Sequence, residues 1–226
     1  VLDRSRIAIW RQVLFLCVET GRYDLALSYA DTVLELNPVA ADPFLAKSLA
    51  WLRSGFPEKA RQALRAVEWM LEDNPQVRSR YHLIQAEINY REGRFQEAWS
   101  SAENAYKDDP QSLGARLWMV LLFCLQPEFK GAFPEVVQSA RQDMATGSAF
   151  ARAVEAVCLA RAGNKKEALA LLQSLQTAGI YLSPLTWELM GDAYHWLGLG
   201  RESRSAWETA LRQAPSLRSV QEKLKP

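Results

Sequence analysis

Residues 92–98 read Glu-Gly-Arg-Phe-Gln-Glu-Ala, and residues 20–26 read Thr-Gly-Arg-Tyr-Asp-Leu-Ala. Both segments place a glycine and an arginine before an aromatic residue, and both end in alanine. Looser copies of the pattern occur at 54–60, 162–168 and 197–203. A glycine that tolerates positive φ suits the point where one helix ends and the chain turns back. The segment therefore predicts a helix–turn–helix unit that recurs along the chain.

The unit recurs with a period close to 34 residues. Its glycines stand at positions 21, 55, 93, 163 and 198, so the gaps are 34, 38, 70 and 35 residues, and 70 is two periods of 35. In three of the units a proline follows the glycine after 17 residues, at Pro38, Pro110 and Pro215. Self-similarity at this period is typical of solenoids, in which each unit stacks on its neighbours.

The period and the residue pattern together resemble the tetratricopeptide repeat family. The last copy keeps the most positions of the family pattern, namely Trp187, Met190, Gly191, Tyr194, Trp207, Ala210 and Pro215. The resemblance implies that the large residue wedges between helices, the small residue permits a close helix crossing, and the proline ends the second helix. It covers essentially the whole chain. It implies an all-α fold, a right-handed superhelical solenoid of about six helix–turn–helix repeats with a C-terminal capping helix.

We expect a single domain over residues 1–226, and a chain that is a piece of a longer protein because Val1 is not an initiator methionine. The fourth repeat is degenerate, since residues 126–129 read Gln-Pro-Glu-Phe where the tight turn is expected. This predicts either a kink between two three-repeat halves or a drifted repeat. The repeats are expected at about 7–40, 41–75, 79–112, 113–147, 149–182 and 184–215, with the capping helix at 216–225.

Composition argues against several other classes of protein. The 27 basic and 26 acidic residues are spread along the chain, so no basic run is available to neutralise a nucleic-acid backbone. The longest apolar run, 117–125, is far shorter than the roughly 20 residues that span a bilayer. The odd number of cysteines, Cys17, Cys124 and Cys158, argues against a disulfide framework. It predicts small buried side chains and a reducing, cytoplasmic location, free or as the cytoplasmic part of a membrane-anchored protein.

No residue pattern predicts catalysis. The two histidines, His82 and His195, lie more than a hundred residues apart and have no cluster of further ligands around them in the sequence. The Gly198-Leu199-Gly200 segment lacks the lysine and hydroxyl residues of a phosphate-binding loop. We therefore expect no catalytic residue, no metal and no cofactor, and a protein that is not an enzyme.

The resemblance also implies a binding surface, because in this family the first helix of each pair lines the concave side of the solenoid. Apolar anchors flanked by charges suit a partner peptide or helix that arginines orient. Phe15 and Leu45 replace the polar residues that a clamp for chaperone C-termini requires, so such a ligand is not expected. The expected groove residues are Arg11, Phe15, Arg53, Arg80, Glu87, Tyr90, Arg91, Trp118, Leu121, Arg161, Asp192, His195 and Trp196.

Three functions follow from this fold, by analogy with its known uses. The first is an adaptor that binds a protein or peptide partner in the concave groove. The second is a structural module of a bacterial membrane-associated assembly for secretion or polysaccharide export. The third is the regulatory arm of a larger enzyme or transcription factor. In none of them does this segment bind nucleic acid or insert into a membrane, and the oligomeric state is left open.

Overall fold

The computed structural model of the chain describes residues 4–71, 74–125, 147–215 and 217–225. Over these ranges the secondary structure is helical, and a short 3-10 helix, Glu68–Met70, follows α4. The α-helices of the described ranges are α1 (Arg4–Glu19), α2 (Tyr23–Leu36), α3 (Ala41–Arg53), α4 (Pro57–Arg65), α5 (Pro75–Arg91), α6 (Phe95–Asp108), α7 (Leu113–Leu125), α8 (Ala149–Arg161), α9 (Lys165–Thr177), α10 (Pro184–Trp196), α11 (Gly200–Gln213) and α12 (Arg218–Lys223).

Consecutive helices pair, and the pairs stack in chain order. Helix α1 packs on α2, α3 on α4, α5 on α6, α8 on α9, and α10 on α11. The first helices of successive pairs also contact one another, because α1 packs on α3, α3 on α5, α5 on α7, α7 on α8, and α8 on α10. The all-α solenoid predicted from the repeat is thereby confirmed. Residues 126–129, on which the kink or drift of the fourth repeat depends, lie outside the described residues.

The glycine turns have the predicted conformation. Gly21 has a φ of 72° and Gly93 a φ of 73°, a region that costs residues with a side chain about 1–2 kcal/mol. At the first turn the amide of Arg22 donates to the carbonyl of Cys17 at 2.8 Å, and the amide of Gly21 donates to that of Val18 at 3.2 Å. These two bonds satisfy carbonyls that the helix end leaves free. The bond from an amide to the carbonyl five residues earlier, as from Arg22 to Cys17, recurs at the amides of Phe56, Arg94, Asn164 and Leu199.

The last repeat contains the close helix crossing that the family pattern implies. Trp207 of α11 lies directly over Gly191 of α10, and a Cβ atom added to Gly191 would stand 2.3 Å from Cδ1 of that indole ring. The indole Nε1 of Trp207 donates to Oδ1 of Asp192 at 3.0 Å. The absence of a side chain at position 191 therefore sets the distance between α10 and α11.

Two of the three cysteines are bonded, which corrects the prediction of three unpaired side chains. Cys124 of α7 and Cys158 of α8 form a disulfide with their Cα atoms 5.4 Å apart, and Cys17 is buried and free. The bonded residues are 34 positions apart, close to one repeat period, and they join neighbouring first helices.

Substitution of Gly191 should test the helix crossing. We expect Gly191→Ala to lower the free energy of unfolding by about 1–3 kcal/mol, because the methyl group overpacks the contact with Trp207. Gly200→Ala is the matched control, since nothing lies within 4 Å of a Cβ at that helix start. It should leave stability unchanged or raise it by up to about 1 kcal/mol. Urea unfolding of both variants gives the comparison, and equal stabilities would contradict the crossing.

Reduction of the disulfide should destabilise the protein. The bond closes a loop of 34 residues, for which the chain-entropy relation gives about 4 kcal/mol. We expect a reductant to lower the thermal midpoint of the wild-type chain and to leave that of the Cys124→Ser/Cys158→Ser variant unchanged. If the reductant shifts both proteins equally, or neither, the bond is not a determinant of stability.

Candidate functional site

An open groove of about 390 Å³ runs across the first helices of four predicted repeats and the start of α8. We call it the N-terminal groove. Leu49, Ile84 and Leu117 form buried parts of its wall, and Phe15 and Phe150 are half-buried at its edges. Its lining residues are Phe15, Glu19, Leu49, Arg53, Arg80, Leu83, Ile84, Glu87, Leu113, Gly114, Leu117, Trp118, Ser148 and Phe150.

Aromatic contacts fix the wall of this groove. The Trp118 ring lies 5.8 Å from that of Phe150 and meets Tyr90 edge to face at 5.4 Å, measured between ring centroids. The Arg80 guanidinium carbon stands 5.6 Å from the centre of the Phe15 ring, and its Nη1 donates to Oδ1 of Asp42 at 2.8 Å. The groove thus offers a rigid apolar surface with one cation held at its rim.

The charged residues of the groove form a chain of alternating sign. Arg53 donates from Nη1 to Oε1 of Glu19 at 2.7 Å, and its Nη2 lies 3.6 Å from Oε2 of Glu87. Arg91 donates from Nη2 to Oε1 of Glu87 at 2.8 Å. Burial alone would raise the pKa of Glu87, but the attraction of Arg53 and Arg91 outweighs it and holds that pKa below its usual value. Arg53 and Arg91 are therefore engaged within the protein.

A second cavity of about 370 Å³ lies where α5, α8 and α10 meet α12, and we call it the C-terminal pocket. Lys223 of α12 reaches into it. Its ammonium donates to both carboxylate oxygens of Asp192 at 2.8 Å and to Oε1 of Glu188 at 2.9 Å. Burial raises the pKa of Asp192, and Lys223 offsets that effect only in part. The lining residues are Tyr90, Phe95, Leu125, Arg161, Asp192, His195, Trp196, Trp207 and Lys223.

Arg161 forms the opposite side of the C-terminal pocket. Its Nη1 donates to the backbone carbonyl of Leu125 at 2.5 Å, and its guanidinium carbon stands 4.5 Å from the centre of the exposed Trp196 ring. A cation over an indole face is attracted by about 0.5–1 kcal/mol at an exposed site. Arg161 thus connects α7 to the end of α10.

The predicted groove residues divide between these two sites. Phe15, Arg53, Arg80, Glu87 and Trp118 line the N-terminal groove, whereas Tyr90, Arg161, Asp192, His195 and Trp196 line the C-terminal pocket. Arg91 lines a neighbouring cavity together with Tyr90 and Lys223. Arg11 lies on α1 outside both sites, and Leu121 is fully buried in the core, without surface to offer a partner.

The sequence reasoning did not place Lys223 or Phe150 in a site, although a signal for Lys223 was present. Helices α3, α7 and α12 each begin three residues after a repeat-ending proline, at Ala41, Leu113 and Arg218. Helix α12 therefore stands where the first helix of a further repeat would begin. A first helix faces the concave side of the array, so this register predicts that a side chain of α12 points inward, as Lys223 does.

The end of the array lies against its beginning. The Tyr181 ring, between α9 and α10, covers Gly21, and its hydroxyl lies 3.2 Å from that of Tyr23. Leu217 and Arg218 border a cavity of about 400 Å³ whose other wall includes Leu52, Phe56 and Arg91. The C-terminal segment is therefore adjacent to the turns of the first three repeats.

Comparison with known families identifies the repeat. The family model described as tetratricopeptide repeat matches residues 18–68 and 58–112. Residues 18–112 of the chain therefore consist of tetratricopeptide repeats. No curated protein sequence matches it.

Several solved structures share the fold. A tetratricopeptide repeat protein from Parabacteroides merdae is 12% identical, with 99% of this chain and 84% of that one covered, at a TM-score of 0.53. PilW, described as a widely conserved type IV pilus biogenesis factor, is 16% identical over 99% and 100% of the two chains, at a TM-score of 0.54. Pseudomonas aeruginosa pilF is 17% identical over 96% and 95%, at 0.51. At these identities the likeness shows the fold alone.

Two findings apply to the described residues. No three His, Cys, Asp or Glu side chains in them are grouped so as to hold a metal ion. Within the same ranges, no helix has both the length and the apolar character that crossing a membrane requires.

Neutralising Glu87 should show how far the charge chain supports the groove. We expect Glu87→Gln to lower the free energy of unfolding at pH 7 by about 3 kcal/mol or more, because it leaves Arg53 and Arg91 short of a partner. The matched control, Glu103→Gln, breaks an exposed pair with Lys107 and should cost less than about 1 kcal/mol.

The pH dependence follows from the sign of the shift. The pKa of Glu87 is lowered on folding, so its contribution is present above the usual glutamate pKa of 4.5 and is lost as the pH falls through the folded-state value. The free energy of unfolding should therefore fall less steeply with decreasing pH in Glu87→Gln than in the wild type. Parallel titrations would show that Glu87 does not carry the acid sensitivity.

Proposed function

We propose that the chain is an adaptor without catalytic activity, and that it binds a segment of a protein partner in the N-terminal groove. The observation that carries this proposal is the open apolar groove itself, with Phe15, Leu83 and Phe150 half-buried along it. Half-buried aromatic and aliphatic side chains in a concave surface are the anchors that helices and extended peptides use. The tetratricopeptide repeat fold adds support by analogy.

The charges of the groove favour binding through shape and apolar contact. Arg53 and Arg91 are held by Glu87, so neither has a free charge to offer. Arg80 is the exception, because it lies about one third exposed at the rim, beside Phe15. A wall already fixed by ion pairs loses little side-chain entropy when a ligand binds. We infer a partner segment with aliphatic or aromatic anchors and an acceptor group near Arg80.

A second candidate function is a structural role in a bacterial membrane-associated assembly, for secretion or polysaccharide export. One neighbour of the same fold is described as a type IV pilus biogenesis factor, and its whole length is covered. The Cys124–Cys158 disulfide favours an oxidising compartment over the cytoplasmic location predicted from the cysteine count. Both observations are compatible with an envelope assembly.

Two substitutions on neighbouring residues of α1 separate these functions. Phe15 lines the N-terminal groove, whereas Leu16 is 62% exposed and does not line it. We expect Phe15→Glu to reduce recovery of the native partner by at least about tenfold, because a charge in the apolar groove removes an anchor. Leu16→Glu introduces the same charge beside it and should leave recovery unchanged.

The measurement is affinity purification of the tagged wild-type chain and both variants from native cells, with quantitative mass spectrometry. Circular dichroism should show equal helicity for the three proteins. Partners lost with Phe15→Glu alone would support the groove. If both variants retain the same partners, binding uses another face, and the assembly function becomes the better account.

A further inference from the structure

Helix α12 depends on its docking contacts. It comprises six residues, and an isolated helix of that length is not stable in water. Leu217 and Val220 are buried against Trp207 and Ala210. Lys223 follows three residues later and enters the C-terminal pocket. The segment is thus a short amphipathic element with two aliphatic anchors and one cation at a regular three-residue spacing.

The C-terminal pocket is built to hold a cation. Glu188 and Asp192 lie one helical turn apart on α10, with 0% and 7% of their surface exposed. Two buried carboxylates at this spacing repel each other unless a positive charge lies between them. Lys223 supplies that charge, and its ammonium stands 5.9 Å from the centre of the Trp207 ring. Acid pairs beside an aromatic face suit ammonium and guanidinium groups.

Lys223 does not satisfy the whole of the acid pair. Oε2 of Glu188 is buried and has no hydrogen-bond partner. A buried carboxylate oxygen without a partner loses its hydration without compensation. The docked position of Lys223 therefore leaves part of the cost of burying this pair uncompensated.

The pocket is a neighbour of the proposed binding groove. Tyr90 lines the C-terminal pocket, and its ring contacts that of Trp118, which lines the N-terminal groove. In the structure Lys223 occupies the pocket beside Asp192.

We propose that α12 is an intramolecular occupant of the C-terminal pocket, and that a partner helix with a basic side chain binds there in its place. The partner helix carries two aliphatic residues and a lysine or arginine at the spacing of Leu217, Val220 and Lys223. This inference rests on the proposed function, since it assigns the regulation and the partner chemistry of the same concave surface. A tethered occupant competes at an effective concentration of about millimolar, so it weakens partner binding until it is displaced.

The test uses the chain of 226 residues and a fluorescent peptide with the sequence of residues 217–225. Anisotropy titrations compare the wild type with Lys223→Gln, in which the tethered competitor has lost its cation. We expect the peptide to bind Lys223→Gln at least about tenfold more tightly than the wild type. A second substitution, Asp192→Asn, should abolish that gain. A peptide with arginine at the lysine position should bind as well, and one with glutamine should not.

Several results would overturn the inference. Equal affinities of the lysine and glutamine peptides, or of the wild type and Lys223→Gln, would show that the pocket does not select a cation. A concentration-dependent dimer of the wild type in sedimentation would show that α12 is exchanged between copies and is not held within one chain. If Lys223→Gln does not fold, amide hydrogen exchange of residues 218–224 in the wild type tests the displacement of α12 instead. Excess lysine peptide should accelerate that exchange, and unchanged rates would refute displacement.

The outcome is independent of the native partner. Phe15→Glu lies in the N-terminal groove and should leave peptide binding to Lys223→Gln unchanged. Failure of the peptide assay would therefore overturn the inference about α12 and leave the proposed adaptor function in place. Retention of the native partner by Phe15→Glu would contradict the groove and leave the result of the peptide assay unaffected.

Discussion

A helix pair of this repeat cannot cover its own apolar surface, and the rest of the structure depends on that constraint. The glycine turn folds α1 back against α2, but both helices keep a face that only the next pair can bury. Stacking therefore continues to the last pair, where α11 would expose Trp207, Ala210 and Ala214. Leu217 and Val220 of α12 cover them. The docking of the terminal segment is a consequence of the same packing requirement that forms the array.

Stacking at a fixed period also decides which distant residues meet. Positions 34 apart are neighbours on adjacent first helices, which places Arg53 between Glu19 and Glu87. The same spacing joins Cys124 to Cys158 by a disulfide. The ion pairs and the covalent bond therefore both join neighbouring first helices.

The sequence was sufficient to predict the helix pairs, their turns and the small residue at the Gly191 crossing, because each of these depends on local residue types and on the period. The predicted groove residues lie on the first helices of the pairs, but their burial could not be predicted. Glu87, Tyr90 and Leu121 are buried because neighbouring repeats cover them, and that cover depends on the curvature of the array. The disulfide was not predicted because only the number of cysteines was considered. The separation of Cys124 and Cys158 by about one repeat period is the feature that indicates their proximity. The contact of α12 with Asp192 also depends on curvature, which residue patterns do not determine.

The disulfide and the two binding sites are mechanically connected through α7 and α8. Cys124 and Cys158 join these helices directly beside Leu125, whose carbonyl accepts from Arg161 at 2.5 Å. Arg161 lies over Trp196 at the edge of the C-terminal pocket, while Trp118, on the same helix as Cys124, forms a wall of the N-terminal groove. Because the bond joins α7 to α8, it restrains the wall of the groove and the position of Arg161 together. A partner of the proposed kind that spans both sites would therefore lose less entropy on binding.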